Sequence, residues 1–512
     1  MSTPAVVLPR RLRRSEGFLI SMILRPLHAV LYRHAFGGSL LLFIAFMAIL
    51  LSGAVFLPVA SGADEAAHYV YAAAVVRGQA GMLEPMLPAR LANIHQFATC
   101  IAFQPDVTAA CQGAYATASS AQMLTQTNAG LYNPVFYAWT GVGTLLVPTE
   151  YGLYISRALA ASVTAVFLAW TTSFLARNTR SRLPLASISL ILTPMTLYVG
   201  MVLNPSAWEI ATLFATAVSG FAVAESSGRR AWSEAHSLLV ASGCVLIVTR
   251  GLSPLFLAIT ASIVLIAAGR TRMRRLAVDR RSWIIAGSFA LTTALSVIWV
   301  LIHGTNYVGV VRPATLGDGI TGISVFFSQY HNQVAQMYGT LGWLDLPSPQ
   351  ILSAAWVFLL GAILVACFGF APARQRIAIV VAFAAAALTP GLLAGLQWSG
   401  GGWQGRYTLP LVAALVVIGT LTVDTSIAHA RRGEPMILQW EDGMRWLLAG
   451  FFAVGSVVVG ILTAHRYLSG ASAPLEAAWK WTPPLPPVLL ALAFLTGVAV
   501  VTLTIIGRRT TR

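Results

Sequence analysis

The chain has 512 residues, of which 57% are hydrophobic and only 10% charged. This balance excludes an ordinary soluble protein and indicates a protein that crosses the bilayer many times. The net charge of +16 does not indicate a nucleic-acid partner, because the arginines lie in short blocks between apolar runs, which is the pattern of cytoplasmic loops in membrane proteins.

Apolar runs of about 17–25 residues divide the chain into membrane spans and loops. We predict an all-α, polytopic membrane fold with about 12 transmembrane helices, both chain ends in the cytoplasm, and interfacial helices in a large first outer loop. The predicted segments, in chain order, are a basic amino terminus at 1–35, a first span at 36–58, an outer loop at 59–151, spans in 152–302, a second outer loop at 303–350, spans in 351–507 and a cytoplasmic tail at 508–512.

Some spans are less regular than others. One span is predicted over 184–202, whereas 237–249 and 252–269 form a hairpin of two shorter helices.

Most basic residues fall in the predicted cytoplasmic segments, as the positive-inside rule requires. The exceptions are Arg77, Arg90, Arg157, Arg250, Arg312, Arg406, Arg466 and Lys480.

Two adjacent acids follow the first span, at Asp64 and Glu65. The chain has only 17 acidic residues, so a pair at the point where a helix leaves the bilayer needs an explanation. Ser61 can cap a helix that begins just after it, and acids are favoured in a first turn. Asp64 and His68 then lie on one face of that helix. The stretch is either a catalytic corner or an ordinary capped interfacial helix.

The rest of the first outer loop contains two further features. Cys100 and Cys111 can form a disulfide if the loop lies outside the cytoplasm, whereas no paired spacing supports a zinc site. Asn133 followed by Pro134 predicts a helix over 134–147, because Asn is a good cap and Pro is favoured at the first helical position. This helix is short for a span.

Any chemistry is expected on the outer side, because the largest polar loops lie there and no cytoplasmic loop carries a nucleotide-binding motif. Nucleotide sugars are absent outside the cytoplasm, so a lipid-linked donor is the natural substrate. Arginines on that side suit its phosphate, above all Arg406 beside Tyr407 and Arg250 in the break between the two short helices. Contact with lipid headgroups is the alternative for each.

This layout resembles the GT-C superfamily of polyprenyl-phosphate-sugar-dependent glycosyltransferases, in which one span, a large outer loop opening with an acidic pair, and many further spans follow one another. Three short motifs resemble, more narrowly, a bacterial membrane-protein family known as domain of unknown function 2142. They lie at 58–68, 132–137 and 405–410. Members of that family often carry His where this chain has Asn133.

The resemblance implies a hexosyl- or pentosyltransferase of the bacterial inner membrane, active in cell-envelope polysaccharide biosynthesis. It would take a sugar from a polyprenyl-phosphate donor and pass it, outside the cytoplasm, to a hydroxyl of a glycan, lipid or protein. The residue roles that it implies are Asp64 as general base with Glu65 as the alternative, Asp64 and His68 as ligands of a divalent cation (Mg²⁺ or Mn²⁺), Arg406, Arg250 and Tyr407 on the donor phosphate, and Tyr132, Asn133 and His331 in a substrate groove.

Two other functions stay open. A lipid-linked-sugar flippase or secondary transporter would place charges along a path through the membrane. A polysaccharide polymerase or ligase with a pyrophosphate-linked donor would use the outer arginines but has less need of the acidic pair.

Overall fold

The computed structural model describes residues 35–115, 121–226, 231–304, 315–396 and 403–507. The predicted basic segment before residue 35 and the cytoplasmic tail at 508–512 lie outside these ranges. Almost all regular structure is helical. The helices are α1 (Ala35–Phe56), α2 (Glu65–Val75), α3 (Ala89–Ala92), α4 (Ile94–Thr99), α5 (Pro134–Leu146), α6 (Gly152–Asn178), α7 (Leu183–Ala186), α8 (Ile188–Ile191), α9 (Pro194–Met201), α10 (Ser206–Glu225), α11 (Glu234–Thr249), α12 (Ser253–Ala268), α13 (Arg270–Val278), α14 (Arg280–His303), α15 (Leu316–Ser328), α16 (Tyr330–Gly339), α17 (Gln350–Phe370), α18 (Ala373–Leu396), α19 (Leu409–Gly433), α20 (Pro435–Leu468) and α21 (Pro487–Ile506).

Two small antiparallel strand pairs complete the described structure. They join β1 (Met86–Pro88) to β2 (Gln122–Leu124), with Leu87 opposite Met123, and β3 (Thr340–Leu341) to β4 (Leu346–Pro347), with Leu341 opposite Leu346. Short 3₁₀ helices cover Ala109–Tyr115 and Gly405–Tyr407.

The all-α, many-span class predicted from the sequence is confirmed, but the predicted count is not reached. Nine helices of the described ranges are long and apolar enough to cross a membrane, or up to eleven if each of two bent pairs is one span. The span predicted over 184–202 is a bent pair of helical segments, Leu183–Ile191 and Pro194–Met201, which meet at 63°. Thr193 caps a new helix there by accepting a hydrogen bond from the backbone of Thr196 at 3.2 Å.

The centre of the bundle is formed by α10 and α19, the most buried of the long apolar helices. Against α10 pack α6, α11 and α12, while α1 packs between α6 and α21. Ion pairs such as Arg177–Glu234 lie at one end of this bundle. At the other end lie the end of α1 and the beginnings of α6, α10 and α19, and the candidate site lies among them.

The two segments that were predicted to be outer loops both fold onto this second end of the bundle. The first contributes α2 to α5 and the first strand pair, and the second contributes α15, α16 and the β3–β4 hairpin. The two segments touch each other directly. Ala63 N donates to Gly342 O at 3.3 Å, and Trp343 Nε1 donates to Ala60 O at 3.1 Å.

Candidate active site

Glu65 is fully enclosed and forms a bidentate ion pair with Arg157, near the start of α6. Arg157 Nε and Nη2 each donate to one carboxylate oxygen at 2.7 Å, and both side chains are 0% exposed. The carboxylate also accepts from the backbone N of Leu203 at 2.7 Å and of Gly62 at 3.3 Å. Arg157 further donates to three carbonyls at and just beyond the end of α1, those of Ala54, Leu57 and Pro58. These surroundings do not support Glu65 as a base for a substrate, since four donors already use its oxygens.

Asp64 comes immediately before α2, in an unusual backbone conformation. Helix α2 begins at Glu65 with Asp64 at the cap position, and no side chain caps the first turn. The expectation that Ser61 caps this helix is therefore wrong. Asp64 has a φ of 66° and Ala60 a φ of 54°, in the left-handed region that residues other than Gly seldom adopt.

Side chains from distant elements hold the turn that precedes Asp64. Tyr198 of α9 and Tyr467 of α20 both donate their hydroxyls to Ser61 O, at 2.9 and 3.3 Å. Trp343 Nε1 donates to the neighbouring carbonyl of Ala60. The turn is thus fixed by α9, α20 and the β3–β4 hairpin, in addition to the Arg157 bonds from α6.

The Asp64 carboxylate is partly open and pairs with Arg406 of the Gly405–Tyr407 turn. Arg406 Nη2 donates to Asp64 Oδ2 at 2.7 Å, and the side chain of Asp64 is 33% exposed against 5% for Arg406. The buried Nε of Arg406 has no acceptor within the described residues. An open carboxylate beside a buried guanidinium can take a proton from a hydroxyl while the cation holds an anionic group.

Arg250 brings a second guanidinium to the same place. It lies in the break between α11 and α12, with its guanidinium carbon 4.4 Å from the ring centre of Tyr407 and 5.7 Å from that of Tyr132. Its Nη1 donates to Ser206 Oγ at 2.9 Å and lies 4.0 Å from Glu209 Oε2. The residues predicted to bind a donor phosphate are therefore brought together by two separate segments, the Gly405–Tyr407 turn and the break between α11 and α12.

Tyr407 lies between these two cations. Arg406 Nη2 donates to its hydroxyl oxygen at 3.2 Å, and the Arg250 guanidinium covers its ring. Burial alone would raise the pKa of Tyr407, but Arg406 and Arg250 outweigh burial and hold this pKa below its usual value. The local field thus strongly favours negative charge.

His68 is buried on α2, one turn after Asp64. Its Nδ1 is 2.9 Å from the hydroxyl of Tyr137, and its ring lies 6.1 Å from that of Tyr132. Burial lowers the pKa of His68 from 6.5 to about 3, with Asp64 opposing this shift and Arg250 and Arg406 reinforcing it. The imidazole is therefore neutral at physiological pH.

A divalent cation is not provided for by these side chains alone. Within the ranges described, no three His, Cys, Asp or Glu side chains lie together as metal ligands. Asp64 shares one oxygen with Arg406, and His68 shares Nδ1 with Tyr137. Mg²⁺ takes mostly oxygen ligands in an octahedron, so waters and phosphate oxygens would have to supply most of the shell. Cation binding by Asp64 and His68 stays a prediction.

The three residues predicted to line one groove lie in different places. Tyr132 faces Arg250, whereas Asn133 caps α5, its Oδ1 accepting from Val135 N at 3.1 Å. His331 is exposed on α16 and lines a cavity next to the Gly405–Tyr407 turn. A structural cap accounts for Asn133 without a role in substrate binding.

Cys100 and Cys111 form a disulfide in the first outer loop, with 6.1 Å between their Cα atoms. Arg466, at the end of α20, ties the chain between them to the bundle. Its guanidinium donates to the carbonyls of Ile101, Gln104 and Val107 at 2.7–3.0 Å.

Two partners of the site were not found from the sequence. Tyr137 of α5 contacts His68, and Glu209 of α10 approaches Arg250. The position of Tyr137 within the motif at 132–137 is the one available signal. The proximity of Glu209 to Arg250 depends on how α10 packs beside the α11–α12 break.

Comparison with known proteins identifies the family to which the chain belongs. One of the solved structures that resemble the chain is the crystal structure of ArnT from Cupriavidus metallidurans bound to undecaprenyl phosphate, with 13% identity and a TM-score of 0.43 over 91% of this chain and 76% of that one. At that identity and score, we infer neither substrate nor reaction from it. No curated protein matches the chain. A family model matches residues 46–415, well over half of the sequence, and the chain therefore belongs to DUF2142, a family of predicted membrane proteins.

Proposed function

We propose that this protein is a membrane glycosyltransferase of the GT-C type, which moves a hexose or pentose from a polyprenyl-phosphate carrier to a hydroxyl of a glycan, lipid or protein. One observation carries the proposal. The partly open carboxylate of Asp64 is in direct contact with the buried Arg406. Arg406 and Arg250 both contact the ring of Tyr407. These groups lie at the ends of apolar helices, where a carrier whose tail stays in the bilayer can present its phosphate.

Asp64 is the proposed general base. The acceptor hydroxyl gives its proton to the Asp64 carboxylate while its oxygen forms a bond to the anomeric carbon of the sugar. The bond from that carbon to the phosphate oxygen breaks, and its electron pair leaves with the phosphate, so the configuration inverts. A positioned base of this kind contributes roughly 10²–10⁴-fold to the rate.

Arg406 and Arg250 are proposed to hold the departing polyprenyl phosphate. The phosphate gains negative charge as it leaves, and fixed guanidinium groups in a water-poor site stabilise such charge without rearranging. Tyr407 keeps the two cations in place, because one hydrogen-bonds to its hydroxyl and the other covers its ring. Glu65 has a positioning role in this scheme, since it fixes the start of α2.

The orientation that fits this chemistry places the site on the outer face of a bacterial inner membrane. The disulfide between Cys100 and Cys111 supports that side, because such bonds persist in oxidising compartments. A requirement for Mg²⁺ or Mn²⁺ is a separate prediction to be measured, and no step above depends on either ion.

The test is transfer in lipid vesicles that contain the purified protein and a radiolabelled polyprenyl-phosphate sugar, with membrane lipids and envelope glycans supplied as acceptors. We expect a labelled product with the wild type and with Asp106→Asn, an exposed acid of the same loop, and none with Asp64→Asn. Repeating the assay with EDTA and then with added Mg²⁺ or Mn²⁺ measures the need for a cation. Movement of the labelled lipid across the vesicle without a new glycosidic bond would make the protein a transporter instead.

A further inference from the structure

A cavity of about 690 Å³ lies beside the Gly405–Tyr407 turn. Its walls come from α15, α16, the β3–β4 hairpin, the start of α17 and the residues Trp403 and Gln404, which lead into the turn. A volume of this size suits a small ligand or the end of a larger one. None of the steps proposed above uses it.

Amides dominate the polar part of the lining, and formal charge is rare there. Asp345 is the one acid among the described lining residues, none of which is Lys or Arg, and its Oδ2 lies 3.8 Å from the Arg466 guanidinium. The amide side chains of the lining are those of Gln329, Asn332, Gln333, Gln336, Gln350 and Gln404. Because the lining holds an acid and neither Lys nor Arg, an anionic ligand is disfavoured in this cavity.

Two amide oxygens of lining residues, Gln333 Oε1 and Gln404 Oε1, are buried and receive no hydrogen bond within the described part of the chain. Gln333 is only 8% exposed, and its Nε2 is held by the carbonyl of Trp403 at 3.1 Å. A buried acceptor without a donor is costly, so a ligand that carries hydrogen-bond donors suits this lining. Sugar hydroxyls donate and accept, whereas carboxylates and phosphates accept only.

The same walls hold both halves of the candidate active site. Gln336 Oε1 accepts from the backbone of Gly405 at 2.8 Å, next to Arg406. On the other side, Gly342 of the β3–β4 hairpin accepts from the backbone of Ala63, next to Asp64. A ligand seated in the cavity is therefore bounded by the two segments that bring the carboxylate and the guanidinium together.

From this chemistry we propose that the cavity binds an uncharged, hydroxyl-rich saccharide, and that this saccharide is the acceptor. The assignment as acceptor rests on the proposed transferase function, whereas binding of a neutral saccharide does not. The saccharide can belong to a soluble glycan or to the head of a glycolipid, since both offer the same hydroxyl groups.

The test is saturation-transfer NMR on the full-length protein in lipid nanodiscs. The probes are neutral trisaccharides of gluco, galacto and manno configuration, the cationic chitosan trisaccharide and the anionic trigalacturonic acid. We expect at least one neutral probe to bind and Gln333→Ala and Gln404→Ala each to weaken that binding by about tenfold, the loss of one buried hydrogen bond. Gln404 is only partly buried, so Gln404→Ala should fold and still tests the proposal if Gln333→Ala does not fold.

Gln375→Ala is the matched control, because Gln375 also has a buried Oε1 without a donor among the described residues but does not line the cavity. It should leave binding unchanged. The proposal is overturned if no neutral probe binds, if a charged probe binds as tightly, or if Gln375→Ala weakens binding as much as the cavity variants.

Two further measurements distinguish a soluble glycan from a glycolipid, and the binding proposal from the proposed function. Tighter binding of the same saccharide when it is attached to a lipid in the nanodisc supports the proposal and names a glycolipid, while equal binding supports it and names a soluble glycan. The transfer assay with Asp64→Asn tests the proposed function separately. If that variant still transfers sugar, the proposed function fails while saccharide binding in the cavity stands.

Discussion

The neighbouring acids Asp64 and Glu65 should separate into a catalytic and a structural residue when each is replaced by its amide. Glu65→Gln removes one charge of a fully buried bidentate pair and leaves the Arg157 guanidinium without its counter-ion. Breaking a buried pair from one side costs about 3–5 kcal/mol of stability. Asp64→Asn keeps an oxygen for Arg406 and changes a side chain that is 33% exposed. Its cost is about 1 kcal/mol, the upper end for a partly exposed pair.

Two measurements on the same samples test this difference. Thermal unfolding of the purified protein, followed by tryptophan fluorescence, should show a melting temperature that falls far more for Glu65→Gln than for Asp64→Asn. Transfer per folded molecule should fall by roughly 10²–10⁴-fold for Asp64→Asn. A stable, inactive Glu65→Gln together with an active Asp64→Asn would exchange the two roles and refute the argument.

The double variant Glu65→Gln with Arg157→Met provides a control. It removes both charges, so its loss of stability should be smaller than the sum of the two single losses by about 2 kcal/mol, the coupling expected of directly interacting residues. Additive losses would mean that the ion pair does not stabilise the end of α1, and the structural role of Glu65 would then lack support.

Three other changes test different parts of the site. Arg250→Lys keeps the charge but loses the planar contact with Tyr407. We therefore expect the KM for the donor to rise, by the equivalent of about 1.5–3 kcal/mol of binding free energy, and the KM for the acceptor to change little. An unchanged donor KM would contradict this. His68 has a pKa of about 3 when folded and 6.5 as its ordinary value, so the unfolded chain binds an additional proton between these values and stability falls as the pH is lowered below 6.5. At pH 5.5 this amounts to about 1.4 kcal/mol, and the melting temperature of the wild type should fall more than that of His68→Gln between pH 7.5 and 5.5; equal falls would contradict it. Reduction should destabilise the wild type by about 2–4 kcal/mol but leave the double variant Cys100→Ser with Cys111→Ser unchanged, as measured by melting temperature with and without dithiothreitol.

Hydropathy was sufficient to predict most of the spans, because long apolar runs need the bilayer whatever they pack against. It could not predict the break before Pro194. The residues on both sides of that point are apolar, and a cap by Thr193 changes the direction of the chain without changing its hydropathy. Of the segments predicted as spans, α11 is apolar but shorter than a span, so it is not among the nine to eleven candidates of the described ranges.

Charged residues at the predicted outer ends of spans indicated Asp64, Arg250 and Arg406, because such groups are rare in this chain and costly in a membrane. The structure brings these three residues together around Tyr407. The pairing between them could not be predicted. Whether Asp64 or Glu65 meets Arg406 depends on the rotation of α2, and that rotation is set by Arg157, which is distant in sequence from both acids. The neutral state of His68 likewise depends on its burial and not on its spacing from Asp64.

The left-handed conformation of Asp64 connects these observations. Such a conformation costs about 1–3 kcal/mol in a residue other than Gly and persists only where the surrounding structure determines it. Here the preceding carbonyls are held by Tyr198, Tyr467 and Trp343, and the following residue by Arg157. The carboxylate is thus fixed in direction before any substrate arrives, as a base for a weakly acidic hydroxyl must be. Because Asn adopts the left-handed conformation at least as readily as Asp, Asp64→Asn removes the base and keeps the backbone that positions it.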